Sequence, residues 1–159
     1  MKRVLKTVCV LLLGVGVSAS AAPGKPRPEI MGIALGMSRD DAQARLKSLG
    51  SLEKEDRKRQ EVWAIKDPRV SHLLVGYDME YRVRYVTAIA RAGGIRIRYQ
   101  DVADLKKAEQ VHSQGIHKFT WEVAERRGQF AYVMTARGRD ATYLDSYSVK
   151  KLGEEEIDE

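Results

Sequence analysis

Four arginines are the residues of this chain whose type and spacing best suit chemistry, and that chemistry is binding. They lie on both sides of a Gly93-Gly94 pair and are Arg82, Arg84, Arg96 and Arg98. A planar guanidinium donates paired hydrogen bonds to a carboxylate or a phosphate. The group is therefore a candidate binding face for an anionic partner. The alternative is an ordinary solvated face whose charge is balanced by Asp78 and Glu80.

The four arginines share a face only if the chain turns in one particular way. A three-residue loop at Ala92-Gly93-Gly94 pairs Ile89 with Ile97 and leaves all four on the opposite side. A two-residue loop pairs Ile89 with Arg98 instead and mixes apolar with charged side chains. Since a slip of one residue moves every side chain to the other face, the apolar pairing predicts the three-residue hairpin.

Aromatic side chains form the second candidate set, in strand-like segments. They are Trp63, Tyr85, Tyr99 and Trp121. Large aromatic rings dominate protein cores, so a core role is the simpler interpretation. A ligand pocket lined by the same rings is the alternative.

No catalytic or metal-binding set is indicated, and we expect neither an enzyme nor a cofactor. His112 and His117 are five residues apart, which does not fit a helical i, i+4 zinc pair, and the third histidine is His72. Asp140 and Asp145 could form a carboxylate pair, but nothing marks them as an acid and base. The only cysteine, Cys9, lies in the N-terminal segment, so no thiol nucleophile is expected.

The N-terminal segment has the three parts of a secretory signal. Basic residues at 2, 3 and 6 precede an apolar run over 8–17, and the small residues of 18–22 follow. The run is too short to cross a hydrocarbon core of about 30 Å as a helix. We therefore predict cleavage after Ala21 or Ala22 and an exported protein, periplasmic or secreted, that does not span the membrane.

The charge distribution favours an anionic partner. The net charge is +6, but three basic residues lie in the signal and five acidic residues lie in the C-terminal tail. The intervening body is therefore more basic than the whole chain. Such a body suits an acidic protein face, an anionic lipid or a small anionic ligand. Nucleic acid is not expected for an exported chain.

Two amphipathic helices are predicted to support the strands. Ser38 is a suitable N-cap for the first, whose stripe is Ala42, Leu46 and Leu49, and Gly50 ends it. The second begins at Asp101 and presents Val102, Leu105, Ala108 and Val111. Residues 51–60 are rich in charge and could continue as helix or as loop.

Alternating apolar residues predict the strands. Glu61–Lys66 is the first, and Leu73–Ile89 is long enough to be a hairpin that turns at Asp78–Tyr81. Three more strands are predicted, one around Trp121, one around Tyr132 and one within Ala141–Val149. The Trp63 and Trp121 strands are 58 residues apart, which suggests an internal repeat. The alternative is a coincidence between two amphipathic hairpins.

These elements predict an α+β fold with helices packed on an antiparallel β-sheet. A helix–strand–hairpin unit would occur twice in tandem around one shared core, because about 60 residues alone are only marginally stable. The predicted boundaries are a signal peptide at 1–21, a flexible linker at 22–29, repeats at 30–92 and 93–152, and an acidic disordered tail at 153–159.

Several short motifs resemble a known family. They are Gly36-Met37-Ser38, Leu49-Gly50, Val62-Trp63 and a hairpin with Leu74–Asp78 and Arg82-Val83. Together they are similar to the SmpA/OmlA family of outer-membrane assembly lipoproteins and to the related β-lactamase inhibitor protein fold. The resemblance implies a helical start packed on an antiparallel sheet, in tandem in the inhibitor protein. It also implies a function in binding other proteins, without a catalytic site.

The sequence therefore predicts a non-enzymatic binding module of the bacterial cell envelope that docks on an envelope protein through a sheet face. A binder of an anionic lipid or small ligand is the alternative, followed by an enzyme with an unrecognised site. The identity of the partner and the oligomeric state stay open.

Overall fold

The computed structural model describes residues 24–56, 59–124 and 130–153. The predicted signal peptide and nearly all of the predicted acidic tail lie outside these ranges. The strands are β1 (Glu29–Ile30), β2 (Ile33–Ala34), β3 (Gly50–Asp56), β4 (Gln60–Ile65), β5 (Val70–Tyr77), β6 (Val83–Ala90), β7 (Glu109–Ser113), β8 (Ile116–Val123), β9 (Tyr132–Gly138) and β10 (Ser146–Lys151). The helices are α1 (Arg39–Leu49) and the single turn α2 (Tyr99–Val102), and a 3-10 turn covers Leu105–Lys107.

Eight strands form one antiparallel sheet, in the order β3-β4-β5-β6-β10-β9-β8-β7. Each half of the chain contributes four consecutive strands, and the halves join where β6 pairs with β10. Strands β1 and β2 form a separate two-stranded sheet. The second strand of each half, β4 or β8, carries a tryptophan, and both indoles lie on the same face of the sheet. Val75 and Val133, also 58 residues apart, lie on opposite faces.

The α+β expectation of helices packed on a sheet is wrong, because the protein is mostly β. Strands account for 51% of the structure and helical residues for 15%. Among the described residues, only α1 is longer than a single turn. Residues 51–60, predicted as helix or loop, instead contain β3 and the start of β4. Charged residues are tolerated there because β3 is an edge strand with one side open to water.

The first predicted helix is confirmed as α1. The Ser38 hydroxyl accepts a hydrogen bond from the Asp41 amide at 3.2 Å, and Ala42 and Leu46 are buried. Gly50 follows the helix, but its φ of −176° is extended and not left-handed. Glycine fits there for another reason, since a Cβ would lie 1.8 Å from the carbonyl oxygen of Ala64.

The prediction of a second amphipathic helix from Asp101 is wrong. Helix α2 begins at Tyr99 and already ends at Val102, and the Asp104 side chain then caps the short 3-10 turn by accepting from the Lys106 amide. The chain continues as the edge strand β7, which pairs with β8 over its whole length. Strand pairing satisfies the backbone of 109–113, so the helical spacing of its apolar residues does not decide the structure.

The three-residue hairpin at 92–94 does not form. Ile89 pairs with Ser146 of β10, not with Ile97. The Arg91 guanidinium instead donates to the carbonyl oxygens of Ile65 at 2.5 Å and Asp67 at 2.8 Å, which anchors the end of β6 beside the β4–β5 loop. The central position beside β6 is therefore taken by a strand almost sixty residues away in sequence.

Among the described residues, the hydrophobic core lies on one side of the sheet. Adjacent strands present buried side chains there, including Trp63, Leu73, Val75, Val86, Ala88, Phe119, Trp121, Met134, Ala136 and Val149. Helix α1, the β1–β2 segment and residues 97–103 cover this face with buried apolar side chains. Pro26 is buried and its carbonyl accepts from the Tyr132 hydroxyl at 2.6 Å, so part of the predicted flexible linker 22–29 packs on the domain.

Within the described ranges, no helix has the length and apolar character needed to cross a bilayer.

Candidate interaction face

The other side of the sheet, which we call the open face, is the main candidate site. Its central row crosses six neighbouring strands through register partners, namely Val62, Leu74, Thr87, Ser148, Thr135 and Thr120. All six are half-buried. In the described parts of the chain, the covering helices and loops contact the opposite, apolar side. The open face is thus a continuous surface of hydroxyl and aliphatic side chains.

Two flanking rows give the open face its charge. Lys118 and Arg137 are register partners in one row, while Lys150 and Glu122 both lie opposite Val133 in the other. The Arg137 guanidinium donates to the Ser146 hydroxyl at 3.2 Å. Three basic side chains against one acidic side chain make the β8–β10 half of this face electropositive.

The size of the open face is close to that of a protein-binding surface. Six strands about 4.8 Å apart and three rows about 6.8 Å apart span roughly 600 Å². A typical stable complex buries about 800 Å² on each partner. Contacts from the sheet edges would make up the difference.

The structure does not bring the four candidate arginines together. Arg82 lies in the β5–β6 turn, where it forms an ion pair with Glu80 at 3.6 Å and donates to the Gly36 carbonyl. Arg84 lies near the start of β6. From Arg84, the strand continues for roughly 20 Å before the chain leaves the sheet.

The other two arginines lie beyond β6, outside any strand. Arg96 pairs with Asp140 at 2.8 Å, and its guanidinium carbon lies 3.8 Å above the centroid of the Tyr143 ring. Arg98 precedes α2 and pairs with Asp101 at 3.0 Å. The Arg96 guanidinium therefore joins the segment after β6 to the β9–β10 turn, whereas the Arg98 guanidinium makes a local contact at the start of α2. The four-arginine face depended on the hairpin that does not form.

The four candidate aromatic residues belong largely to the core. Trp63 and Trp121 are each 2% exposed, and Tyr99 is 1% exposed. The Trp121 indole donates to the Asp104 carbonyl at 2.9 Å, and the Tyr99 hydroxyl to the Asp140 carbonyl at 3.2 Å. Tyr85 differs, since it is half-buried on the open face and its hydroxyl donates to the Gln60 side chain.

A buried carboxylate that the sequence analysis missed lies beneath α1. Glu61 is 1% exposed, on the covered face of β4. Its Oε1 accepts from Arg39 Nε at 2.9 Å and from Gln43 Nε2 at 2.6 Å. Its Oε2 accepts from the Trp63 indole and from the Tyr77 hydroxyl, both at 2.9 Å. The signal was present in the sequence, since Glu61 shares its strand face with Trp63 and Ile65.

This carboxylate is built for structure and not for catalysis. Burial raises the pKa of Glu61, but the four hydrogen bonds outweigh it, so the pKa lies below its ordinary value. Burial and the adjacent Glu61 charge raise the pKa of Tyr77 well above its usual range. With each oxygen already bonded to two donors, Glu61 has no position left for a substrate proton. It ties α1 to the sheet.

The predicted carboxylate pair is likewise structural. Asp140 accepts hydrogen bonds from the amides of Thr142 and Tyr143, which together with the Arg96 pair lower its pKa to about 2. Asp145 accepts from the Arg139 amide. Among the described residues, no cluster of three or more potential metal ligands is present.

An open cleft of about 800 Å³ lies between the N-terminal segment and α2. Its lining includes Lys25, Arg27 and Arg98 together with Glu29 and Asp101. Basic and acidic groups are mixed in it, and the Arg98 guanidinium already has Asp101 as a partner. A small anionic ligand therefore gains less support from this cleft than a protein partner gains from the open face.

Comparison with known proteins gives no match to a protein-family model, a curated protein sequence or a solved structure. The similarity to the SmpA/OmlA family and to the β-lactamase inhibitor protein fold therefore stays a prediction. The assignment of function must rest on the geometry of the chain itself.

Proposed function

We propose that this protein is an exported, non-enzymatic binding module of the cell envelope that docks on an acidic protein surface through its open face. The observation that supports this most directly is that none of the described segments covers this side of the eight-stranded sheet. A sheet whose second side is left open needs polar residues for solubility, and this one has hydroxyl side chains and basic groups there.

Charge complementarity selects the chemistry of the partner. Lys118, Arg137 and Lys150 lie on neighbouring strands of the open face, with Glu122 as the acidic residue in the β8–β10 part of the same rows. Basic side chains around a row of hydroxyls suit carboxylates presented on a protein surface. Such charges mainly raise the association rate and the specificity, and their effect weakens as salt screens them.

Site-specific photo-crosslinking in the envelope tests the location. A photoreactive residue replaces Thr135, at the centre of the open face, and in a second protein it replaces the exposed Lys47 on α1. We expect a discrete protein adduct from position 135 and none from position 47. Equal adducts from both positions, or none from position 135 in correctly exported protein, would contradict the proposal.

Charge reversal tests the chemistry. We expect Lys118→Glu with Arg137→Glu to weaken binding of the crosslinked partner by about tenfold or more. Lys47→Glu is the matched control and should leave binding and the circular dichroism spectrum unchanged. Binding that survives the double change would refute the electropositive face. Loss of binding to anionic vesicles in the double variant, with no protein adduct in the wild type, would favour the lipid alternative.

A further inference from the structure

Two histidines that are separated in sequence face each other on the β7–β8 hairpin. His112 and His117 are direct register partners, and the two-residue loop Gln114-Gly115 connects their strands. Both loop residues have positive φ, at 50° and 75°, as a type I′ turn requires. The two Nδ1 atoms lie 3.3 Å apart, and the ring centroids lie 4.2 Å apart.

We propose that His112 and His117 chelate a zinc ion through their Nδ1 atoms. Two Zn–N bonds of about 2.0–2.1 Å at a tetrahedral angle separate their nitrogens by about 3.3–3.4 Å. The observed nitrogen separation of 3.3 Å matches this distance. A square-planar ion such as Cu²⁺ would need about 2.9 Å between adjacent nitrogens. The ring centroids, now 4.2 Å apart, would have to move to about 5 Å for both lone pairs to point at one ion with these bond lengths. Rotation about χ2 allows such a movement, because this torsion is broad for histidine.

The hairpin holds the pair in place and leaves it accessible. All five residues of β7 are exposed, and His117 is half-buried. The backbone carbonyl of His117 accepts from the hydroxyl of the buried Tyr99 at 3.4 Å, which attaches this end of β8 to the core. Ligands held on paired strands keep their spacing better than ligands on a loop.

The site supplies two ligands, so its ion keeps open positions. No third histidine, cysteine or carboxylate joins the pair among the described residues. Water or a group from another molecule would complete the four-coordinate shell that zinc prefers. Binding should therefore be reversible and weaker than at a four-ligand structural site. Without metal, one Nδ1 must donate a proton to the other to form the observed contact.

Zinc titration of the full exported chain, purified without a polyhistidine tag, tests this proposal. Calorimetry should show one zinc ion per chain. Long-range ¹H–¹⁵N spectra of the imidazoles should show shifts at Nδ1 of His112 and of His117. His72, which pairs with Glu53 on the far part of the sheet, is the internal control and should not shift.

Phenylalanine variants separate metal binding from ring packing. His112→Phe and His117→Phe each keep an aromatic pair across the hairpin but remove one ligand nitrogen. Each should lower zinc affinity by at least about tenfold, since loss of a supporting group next to a ligand already costs 10- to 100-fold. His72→Gln should bind zinc as the wild type does. Circular dichroism checks that each variant is folded.

The proposal is overturned if the wild-type imidazole nitrogens do not shift at millimolar zinc. Binding of undiminished strength in either phenylalanine variant would also overturn it, as would a zinc response at His72 alone. The spectra of the unmodified protein decide the question even if a variant fails to fold.

Discussion

Replacing Glu61 by glutamine tests whether the buried carboxylate network holds α1 on the sheet. The substitution keeps the volume of the side chain but removes its charge and places an amide NH₂ where one oxygen was. On the Oε2 side, the Trp63 indole can only donate, so a donor would face a donor. On the Oε1 side, the Arg39 guanidinium would lose its buried anionic partner.

The cost follows from the burial of this network. Removing one member of a buried ion pair typically destabilises a protein by about 3–5 kcal/mol. The Arg39 side chain is 27% exposed and keeps Glu55 as a partner, and glutamine keeps the volume and an acceptor, so Glu61→Gln should lie at the lower end, about 3 kcal/mol. For a chain of this size, that corresponds to a fall in Tm of about 10 °C. Thermal and urea unfolding followed by circular dichroism measure both quantities.

Glu55→Gln is the matched control, because Glu55 pairs with the same arginine from the surface. Its side chain is 53% exposed, against 1% for Glu61. Exposed pairs contribute about 0–1 kcal/mol, so this variant should unfold close to the wild type. Equal losses in the two variants, or a loss below about 1 kcal/mol for Glu61→Gln, would refute the structural role of the network.

The contribution of Glu61 to the free energy of unfolding should also depend on pH. The folded pKa of Glu61 lies below its ordinary value, so the unfolded chain binds the proton more tightly. The stabilisation is therefore fully present above the unfolded pKa, about 4.3, and is lost as pH falls through the folded pKa. The difference between wild type and Glu61→Gln should stay constant from pH 7 to 5 and shrink at lower pH. Urea midpoints across this range would show it, and a constant difference down to pH 2 would contradict it.

Three further substitutions have defined outcomes. Gly50→Ala should destabilise the fold by about 2 kcal/mol or more in urea unfolding, because its Cβ would lie 1.8 Å from the Ala64 carbonyl oxygen. An unchanged urea midpoint would show that β3 and β4 move apart at this point without cost. Gln114→Asn should raise Tm by a few degrees, since asparagine adopts positive φ more readily than glutamine, and a lower Tm would argue against the turn. Arg96→Ala should raise the pKa of Asp140 from about 2 in a carboxyl NMR titration, because a cation that favours the carboxylate is removed; an unchanged pKa would leave the backbone amides as its sole cause.

Local patterns predicted several of the individual elements correctly. Helix α1 begins after the Ser38 cap and buries Ala42 and Leu46 as its stripe requires. The strand from Glu61 and the turn at Asp78–Tyr81 are also found. These features depend on a side chain and its near neighbours in sequence, which is the information that a periodic pattern holds.

The failures share a physical cause. The helix expected after Asp101 had the correct apolar spacing, but its residues are needed as an edge strand beside β8. The hairpin at 92–94 had a consistent register, but β10 offers β6 a partner that buries Val149 against Val86. In both places, non-local strand pairing outweighs a sound local preference.

The sequence by itself determined which segments are amphipathic, where the first helix starts and which aromatic rings are apolar enough to be buried. Only the tertiary structure decided which strands are neighbours, and therefore which side chains meet. It separated the four arginines, placed Glu61 beneath α1 and brought His112 to His117. The reason is that strand pairing joins residues far apart in the chain, and the energy of each pairing depends on the alternatives available to the whole sheet.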